Sequence, residues 1–323
     1  MFQKDFSIPQ RYLKTIVLER RLNLGHPKHQ DVARDLAKRR AGYWGEKTLY
    51  KFLNELPQQQ YLMFHDLQLK NENVTFQIDF LLLSQYINLI IEAKNIVGIL
   101  TFENTFKQLV RKNEDGSEDV FEDPHTQAKY HQLMLHSWLR NHGINGLPID
   151  YLIFFSNVNK TNLKILPGGR SDFSRICKGT ELFLKIDSME KIFHQKKLTS
   201  IELNELGKLL HNDHSPTTIN IMDEYGITKK NIRPGLRCPT CEHLPMIYAK
   251  GKFICSICQC NSKETIPEAL QDYSHLYKPT ITNSEFREFV LIPSPNTAQK
   301  ELRALQLEST GTTRNRQYFI KSR

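Results

Sequence analysis

"QIDFLLLSQYINLIIEAKN", Gln77 to Asn95, decides how this chain folds. Val74 to Ser84 and Ile87 to Asn95 read as two central strands, apolar along most of their length. The link Ser84-Gln85-Tyr86 is short, so the two are predicted to be antiparallel neighbours. Strand side chains alternate faces, which puts Glu92 and Lys94 on one side and Ala93 on the other. Folding back brings Asp79 across from Glu92 or Lys94, to within a residue or two of register. Two carboxylates and one ammonium are thus expected at the edge of a buried sheet.

Half-buried charges are costly unless they are paired or bind metal. Two hard oxygen ligands with open positions suit Mg2+ or Mn2+, ions that take their remaining ligands from water and phosphate. A lysine beside them can position or deprotonate a water and offset charge on a phosphoryl oxygen. That is the chemistry of phosphodiester hydrolysis. The same loose spacing also fits a cross-strand ion pair that merely ends two strands.

The flanks extend the pattern. From Asp31 to Leu56 the apolar positions Val32, Leu36, Leu49, Phe52, Leu53 and Leu56 fit one helix face, with Gly42 and Gly45 weakening its middle and Pro57 stopping it. Tyr61 to Leu69 reads as a strand. "GILTFENTFKQLVRK" and "EDVFED" flank Asn113-Glu114-Asp115-Gly116, a good hairpin turn. Asp123 can cap a helix with Pro124 at its first position, running from His125 to Arg140. Ile149 to Asn157 is another buried strand. The order predicts a mixed sheet between helices, in the α/β or α+β class. Glu46 on the first helix is a candidate third carboxylate. Gln127 lies in the first turns of the later helix, with His131 one turn on along the same face.

Gly45-Glu46, Gln77-Ile78-Asp79, Glu92-Ala93-Lys94-Asn95 followed by Gly98, and Asp123-Pro124 followed by Gln127 together resemble the nuclease-related domain, the NERD family of the PD-(D/E)xK phosphodiesterases. The resemblance covers residues 35–157. It implies a restriction-endonuclease-like core, with Asp79 and Glu92 holding Mg2+ and the Ala93 carbonyl as a further candidate ligand. It also implies that Lys94 serves the water while Glu46 and Gln127 support it. His131 departs from that pattern, since related enzymes often carry Tyr one turn after the Gln.

"CPTCEHLPMIYAKGKFICSICQC" spaces Cys238-x2-Cys241 and Cys255-x2-Cys258 as two knuckles around a hairpin. Four thiolates at this spacing make a closed tetrahedral Zn2+ site, a zinc ribbon that folds a segment too small for its own core. Cys260 or His243 is an alternative for one ligand. Cys177 stands alone and reads as a small buried hydrophobe.

Near the C-terminus, Thr282 and Glu285 have capping-box spacing, and Pro295 opens a second helix with Ala298, Leu302 and Leu305 on one face. "ESTGTTRNRQYFIKSR" follows as a basic strand–turn–strand wing. The set resembles a winged-helix unit with Thr297, Gln299, Lys300 and Arg303 toward a nucleic-acid groove and Arg314 and Arg316 on the wing. The chain therefore divides into a basic helical segment (1–34), a nuclease-like domain (35–157), a basic loop and helical connector (158–235), a zinc ribbon (236–262) and a winged-helix-like unit (273–323).

Formal charge over the 323 residues is +9. Residues 1–60 carry twelve Lys or Arg against six acids, densest from Arg34 through Lys38, Arg39 and Arg40. Such a balance favours a polyanion, and DNA is the expected partner. No apolar run approaches the ~20 residues of a membrane span, and no signal-peptide layout opens the sequence, so the expected location is cytoplasmic. No Gly-x4-Gly-Lys-Ser/Thr loop and no Gly-x-Ser-x-Gly elbow appears, which argues against ATP chemistry and serine hydrolysis. A DNA-binding adaptor built on a nuclease fold is the alternative to an enzyme.

Overall fold

The computed structural model describes residues 2–103, 105–165, 171–312 and 315–321. The chain divides into two compact units that alternate along the sequence: Met1–Pro9 with Arg39–Thr218, and Gln10–Lys38 with Ile219–Arg323.

The first residues, where the sequence suggests weak helix, form a short strand, β1 (Phe2–Lys4). Helix α1 (Gln10–Arg21) belongs to the second unit, and helix α2 (His29–Leu53) ends before Pro57 is reached. Then come β2 (Leu62–Asn71), β3 (Val74–Leu83), β4 (Asn88–Lys94), β5 (Gly98–Glu103), β6 (Gln108–Lys112) and β7 (Glu118–Glu122). The single flank expected from Gly98 to Lys112 is two strands, because Glu103 accepts the backbone N–H groups of Thr105 and Phe106, at 2.7 and 2.8 Å, and turns the chain. Helix α3 (Pro124–Asn141) starts on Asp123, whose carboxylate accepts the His125 N–H. Strands β8 (Ile149–Phe155), β9 (Thr161–Ile165) and β10 (Ile176–Lys178) and helices α4 (Glu181–Ile192) and α5 (Ser200–Asp213) complete the first unit.

Its main sheet has the order β1-β2-β3-β4-β8-β10. β2, β3 and β4 are antiparallel, whereas β8 lies parallel to β4, as the crossover through α3 requires. A second sheet runs β7-β6-β5-β9. Leu135, Trp138 and Leu139 of α3 and Leu203, Leu206 and Leu210 of α5 pack in one core with one face of the main sheet. Leu49 and Leu53 of α2 and Leu182 and Ile186 of α4 cover the other. The result is a mixed sheet between helices, as the order of elements predicts.

One irregularity shapes the site. Ile78 and Leu81 share one core while Phe80 lies in the opposite one, so the two-residue alternation of β3 slips once at Asp79–Phe80. β2 slips beside it: Phe64 and Leu67 share a core, and between them Asp66 takes a left-handed φ of 51°. Ladder pairing of β3 with β4 reaches Phe80↔Ile91, which puts Asp79 level with Glu92 where the two strands part.

The second unit is built on α1, α6 (Ile221–Glu224), the hairpin β11 (Ile247–Ala249) and β12 (Lys252–Ile254), and α7 (Ile266–Leu276). It ends with β13 (Thr280–Thr282), α8 (Asn283–Val290), α9 (Pro295–Ala304), β14 (Ser309–Thr310) and β15 (Gln317–Phe319), the three strands pairing as β13-β15-β14. Thr282 and Glu285 form the expected capping box. Arg21, 1% exposed, is neutralised by Asp272 at 2.5 Å, donates to the carbonyls of Arg233 and Gly235, and lies 4.6 Å above the Phe289 ring.

The two glycines of α2 behave differently. A Cβ on Gly42 would meet nothing within 4 Å, but one on Gly45 would sit 2.9 Å from Asn95 Cβ. Gly45 therefore lets the helix close on the end of β4, where Asn95 also donates to the Ala41 carbonyl at 2.8 Å. Gly42→Ala is expected to stabilise the protein by about 0.5–1 kcal/mol, the ordinary helix-interior cost of glycine. Gly45→Ala is expected to destabilise it by about 1–3 kcal/mol through overpacking. Denaturant unfolding of the two variants checks both signs.

Candidate functional site

Glu92 is fully buried at the end of β4. Its Oε1 accepts a hydrogen bond from His131 Nδ1 at 2.5 Å, and Lys94 Nζ stands 3.7 Å from Oε2. Oε2 has no hydrogen-bond partner among the described residues. Asp79 Oδ2 accepts the Ala93 N–H at 3.0 Å, so the acid fills the gap opened by the slip in β3. Lys94 donates to Gln127 Oε1 at 2.6 Å. Gln127 and His131, one helical turn apart on α3, thus hold Lys94 and Glu92, two residues apart on β4. His131, the residue out of pattern, takes part directly.

Glu46 comes from α2. Its Oε2 lies 2.8 Å from His65 Nε2, and His65 is completely buried in β2. His65 Nδ1 faces the Ser7 N–H at 3.4 Å, so Nε2 carries the proton and donates to Glu46. Sequence reasoning missed His65. Its one hint was a histidine directly after the apolar run Leu62-Met63-Phe64.

The acids repel one another. Burial, then the negative charges of Asp79, Asp66 and Glu92, push the Glu46 carboxyl up to about 9. Burial, then Glu92, pushes Asp79 up to about 7. Glu92 moves the other way: burial opposes its ionisation, but the His131 hydrogen bond and the Lys94 charge outweigh it and hold the group below its ordinary value. Burial pushes His65 down to about 3, so its imidazole is neutral. Two of three clustered carboxyls therefore gain protons readily, as like charges in a poorly solvated site must unless a cation joins them.

The four sulfurs of Cys238, Cys241, Cys255 and Cys258 lie within 4.8 Å of one another, compatible with a zinc ribbon. Among the described residues this is the one group of three or more His, Cys, Asp or Glu donors so close together. The two knuckles repeat each other. Glu242 and Gln259, each following its second cysteine, take φ of 62° and 59°. Cys238 N–H donates to the His243 carbonyl at 2.8 Å, and Cys255 N–H donates to the Cys260 carbonyl at 2.9 Å. His243 and Cys260 thus close equivalent loops through their backbones, and neither side chain belongs to the sulfur cluster. Cys177 is buried, with its thiol pushed up to about 12 by burial and then by Glu181.

The basic residues are distributed. Lys38 and Arg40 are exposed on α2, Arg39 is half-buried, and Arg34 is exposed and bonded to Asp31. Lys300 and Arg303 are exposed one turn apart on α9. Arg316 is half-buried, and Arg314 lies outside the described residues. Gln299 is half-buried and donates to Tyr318 Oη at 2.7 Å.

A mixed sheet whose strands part around buried acids, a lysine and a glutamine is consistent with a nuclease-like fold. Residues 41–156 match the family model described as the nuclease-related domain, NERD. No curated protein and no solved structure was found to match the chain. No helix among the described residues is long and apolar enough to cross a membrane.

Elemental analysis of the full chain is expected to give one zinc ion. Cys238→Ser and Cys258→Ser are expected to lose it, while Cys260→Ser and His243→Ala keep it.

Proposed function

We propose that the chain is a nuclease that hydrolyses DNA phosphodiesters with Mg2+ or Mn2+. The observation that carries this reading is the buried Glu92 Oε2, without a hydrogen bond, level with Asp79 and beside the Lys94 ammonium. A fully desolvated carboxylate oxygen is costly unless a cation or a donor reaches it. The donor set is all oxygen, which suits a hard divalent ion. With two carboxylates as its protein ligands, such an ion would keep several waters.

In this reading Asp79 and Glu92 hold the ion, with the Ala93 carbonyl as a further candidate ligand. The bound ion would supply charge neutralisation at a phosphoryl oxygen and a lowered pKa for attacking water. The remaining work belongs to the protein. His131 fixes Glu92 by its Oε1, leaving Oε2 free to ligate. Gln127 fixes the Lys94 ammonium, which faces the reacting phosphate, offsets its developing negative charge and orients the water. Glu46, held by His65, supports the same cluster from the other side of the sheet.

Zn2+ on the four cysteines is structural in this reading, since four thiolates leave no open position. The order α7, β13, α8, α9, β14, β15 and the sheet β13-β15-β14 support a winged-helix-like unit over residues 273–323. Lys300, Arg303, Arg314 and Arg316 from that unit, and Arg34, Lys38, Arg39 and Arg40, are the groups we assign to backbone phosphates. Such contacts make binding fall steeply with salt.

DNA cleavage is expected with Mg2+ or Mn2+ and not with chelator, and is expected to drop about a hundredfold or more in Glu92→Ala and in Lys94→Ala. Cutting that survives both changes would sink the assignment. Binding without cutting would leave an adaptor on a nuclease fold. Lys300→Ala and Arg303→Ala are each expected to weaken binding and lower its salt slope by about one.

A further inference from the structure

The N-terminal residues Lys4 to Ser7 lie outside the segment that matches the nuclease-related domain, yet they surround His65, the partner of Glu46. Strand β1 runs parallel to β2 with Lys4 opposite Phe64, which carries the next residues across the slipped part of β2. Lys4 Nζ donates to the carbonyls of His65 and Asp66 at 2.7 and 2.5 Å, and stands 3.5 Å from the Asp66 carboxylate. It thus satisfies backbone groups at the left-handed Asp66. The Phe6 ring lies 4.4 Å from the His65 ring and 4.9 and 5.6 Å from Tyr50 and Tyr43, which flank Glu46 on α2. The Ser7 N–H faces His65 Nδ1 at 3.4 Å. Apart from Glu46 and the Phe80 ring at 4.8 Å, these described contacts of the His65 imidazole all come from Phe6 and Ser7.

A neutral imidazole has one proton to place on two nitrogens. The donor it meets at Nδ1 forces that proton to Nε2, and only the Nε2-protonated form donates to Glu46. We infer that residues Lys4 to Ser7 form a strap that completes the nuclease site, with Lys4, Phe6, Ser7 and His65 acting as positioning residues that set the His65 tautomer and thereby aim Glu46. The inference rests on the nuclease reading for its purpose but not for its geometry. Its counterpart is the general behaviour of residues outside a metal's ligand set, whose loss weakens ion affinity without removing a ligand.

The test uses the full, zinc-loaded chain labelled with nitrogen-15 at histidine, with Mn2+ as the probe ion. In wild type, His65 is expected to show the neutral Nε2-protonated signature. Ser7→Pro, which removes the N–H, and Lys4→Met, which frees the carbonyls, are expected to mix or reverse that tautomer while thermal melting still shows a folded protein. Both are expected to lower Mn2+ affinity about tenfold. His65→Gln, which can replace the Nε2–H donor with an amide, is expected to retain affinity that His65→Leu loses, and Asp5→Asn on the exposed side of the strap is expected to change nothing. An Nδ1-protonated His65 in wild type, or an unchanged tautomer in both strap variants, overturns the inference. A wild type that neither binds Mn2+ nor cuts DNA would instead end the nuclease reading, and the tautomer comparison would still decide whether the strap exists.

Discussion

Three carboxyl groups buried within each other's fields are the constraint around which the first unit is arranged. Left ionised and unpaired, Glu46, Asp79 and Glu92 would oppose folding, so each has been given its own compensation. Glu92 takes a hydrogen bond from α3 and the nearby charge of Lys94, Asp79 takes a backbone N–H, and Glu46 takes a neutral histidine. The slips in β2 and β3 and the missing side chain of Gly45 are the backbone adjustments that bring those donors within reach. What remains without a hydrogen bond among the described residues is one oxygen of Glu92, faced only by the Lys94 ammonium at 3.7 Å.

Much of this was legible in the sequence because it depends on local chemistry. The Asp-Gly turn, the Asp123 cap, the Thr282–Glu285 box and the paired Cys-x2-Cys knuckles each involve residues a few positions apart. The antiparallel pairing of β3 and β4 follows from a link too short for anything else. The features that escaped are long-range or masked. A strand apolar on both faces carries no visible alternation, so its slip at Asp79 leaves no trace in the residue pattern. β1 is three residues long and finds its partner some sixty positions later, beyond any periodicity. His65 and Glu46 sit on elements whose meeting is fixed only by the packed core.

The second unit solves a different problem. Its apolar core draws together a short basic helix, the cysteine hairpin and the C-terminal helices, none of which has enough surface to fold alone. Cys238 and Cys255 are themselves part of that core, and the buried Arg21–Asp272 pair ties α1 to α7. The doubling of the knuckle, down to its left-handed residue and its closing carbonyl, shows why four sulfurs converge while the neighbouring His243 and Cys260 stand aside.

The alternating arrangement of the units along the chain has a consequence for how the protein is made. Neither unit is a continuous stretch, and no single cut separates them intact, since one spans residues 1–218 and the other 10–323. During synthesis α1 leaves the ribosome early but must wait for the last hundred or so residues before its own core can close. The nuclease-like unit can finish first, with the unpartnered α1 tethered between its opening strand and its first helix. Shortening the gene from its end would therefore be expected to leave the first unit with α1 unpartnered, while shortening it from its start would take β1 and α1 away from both units.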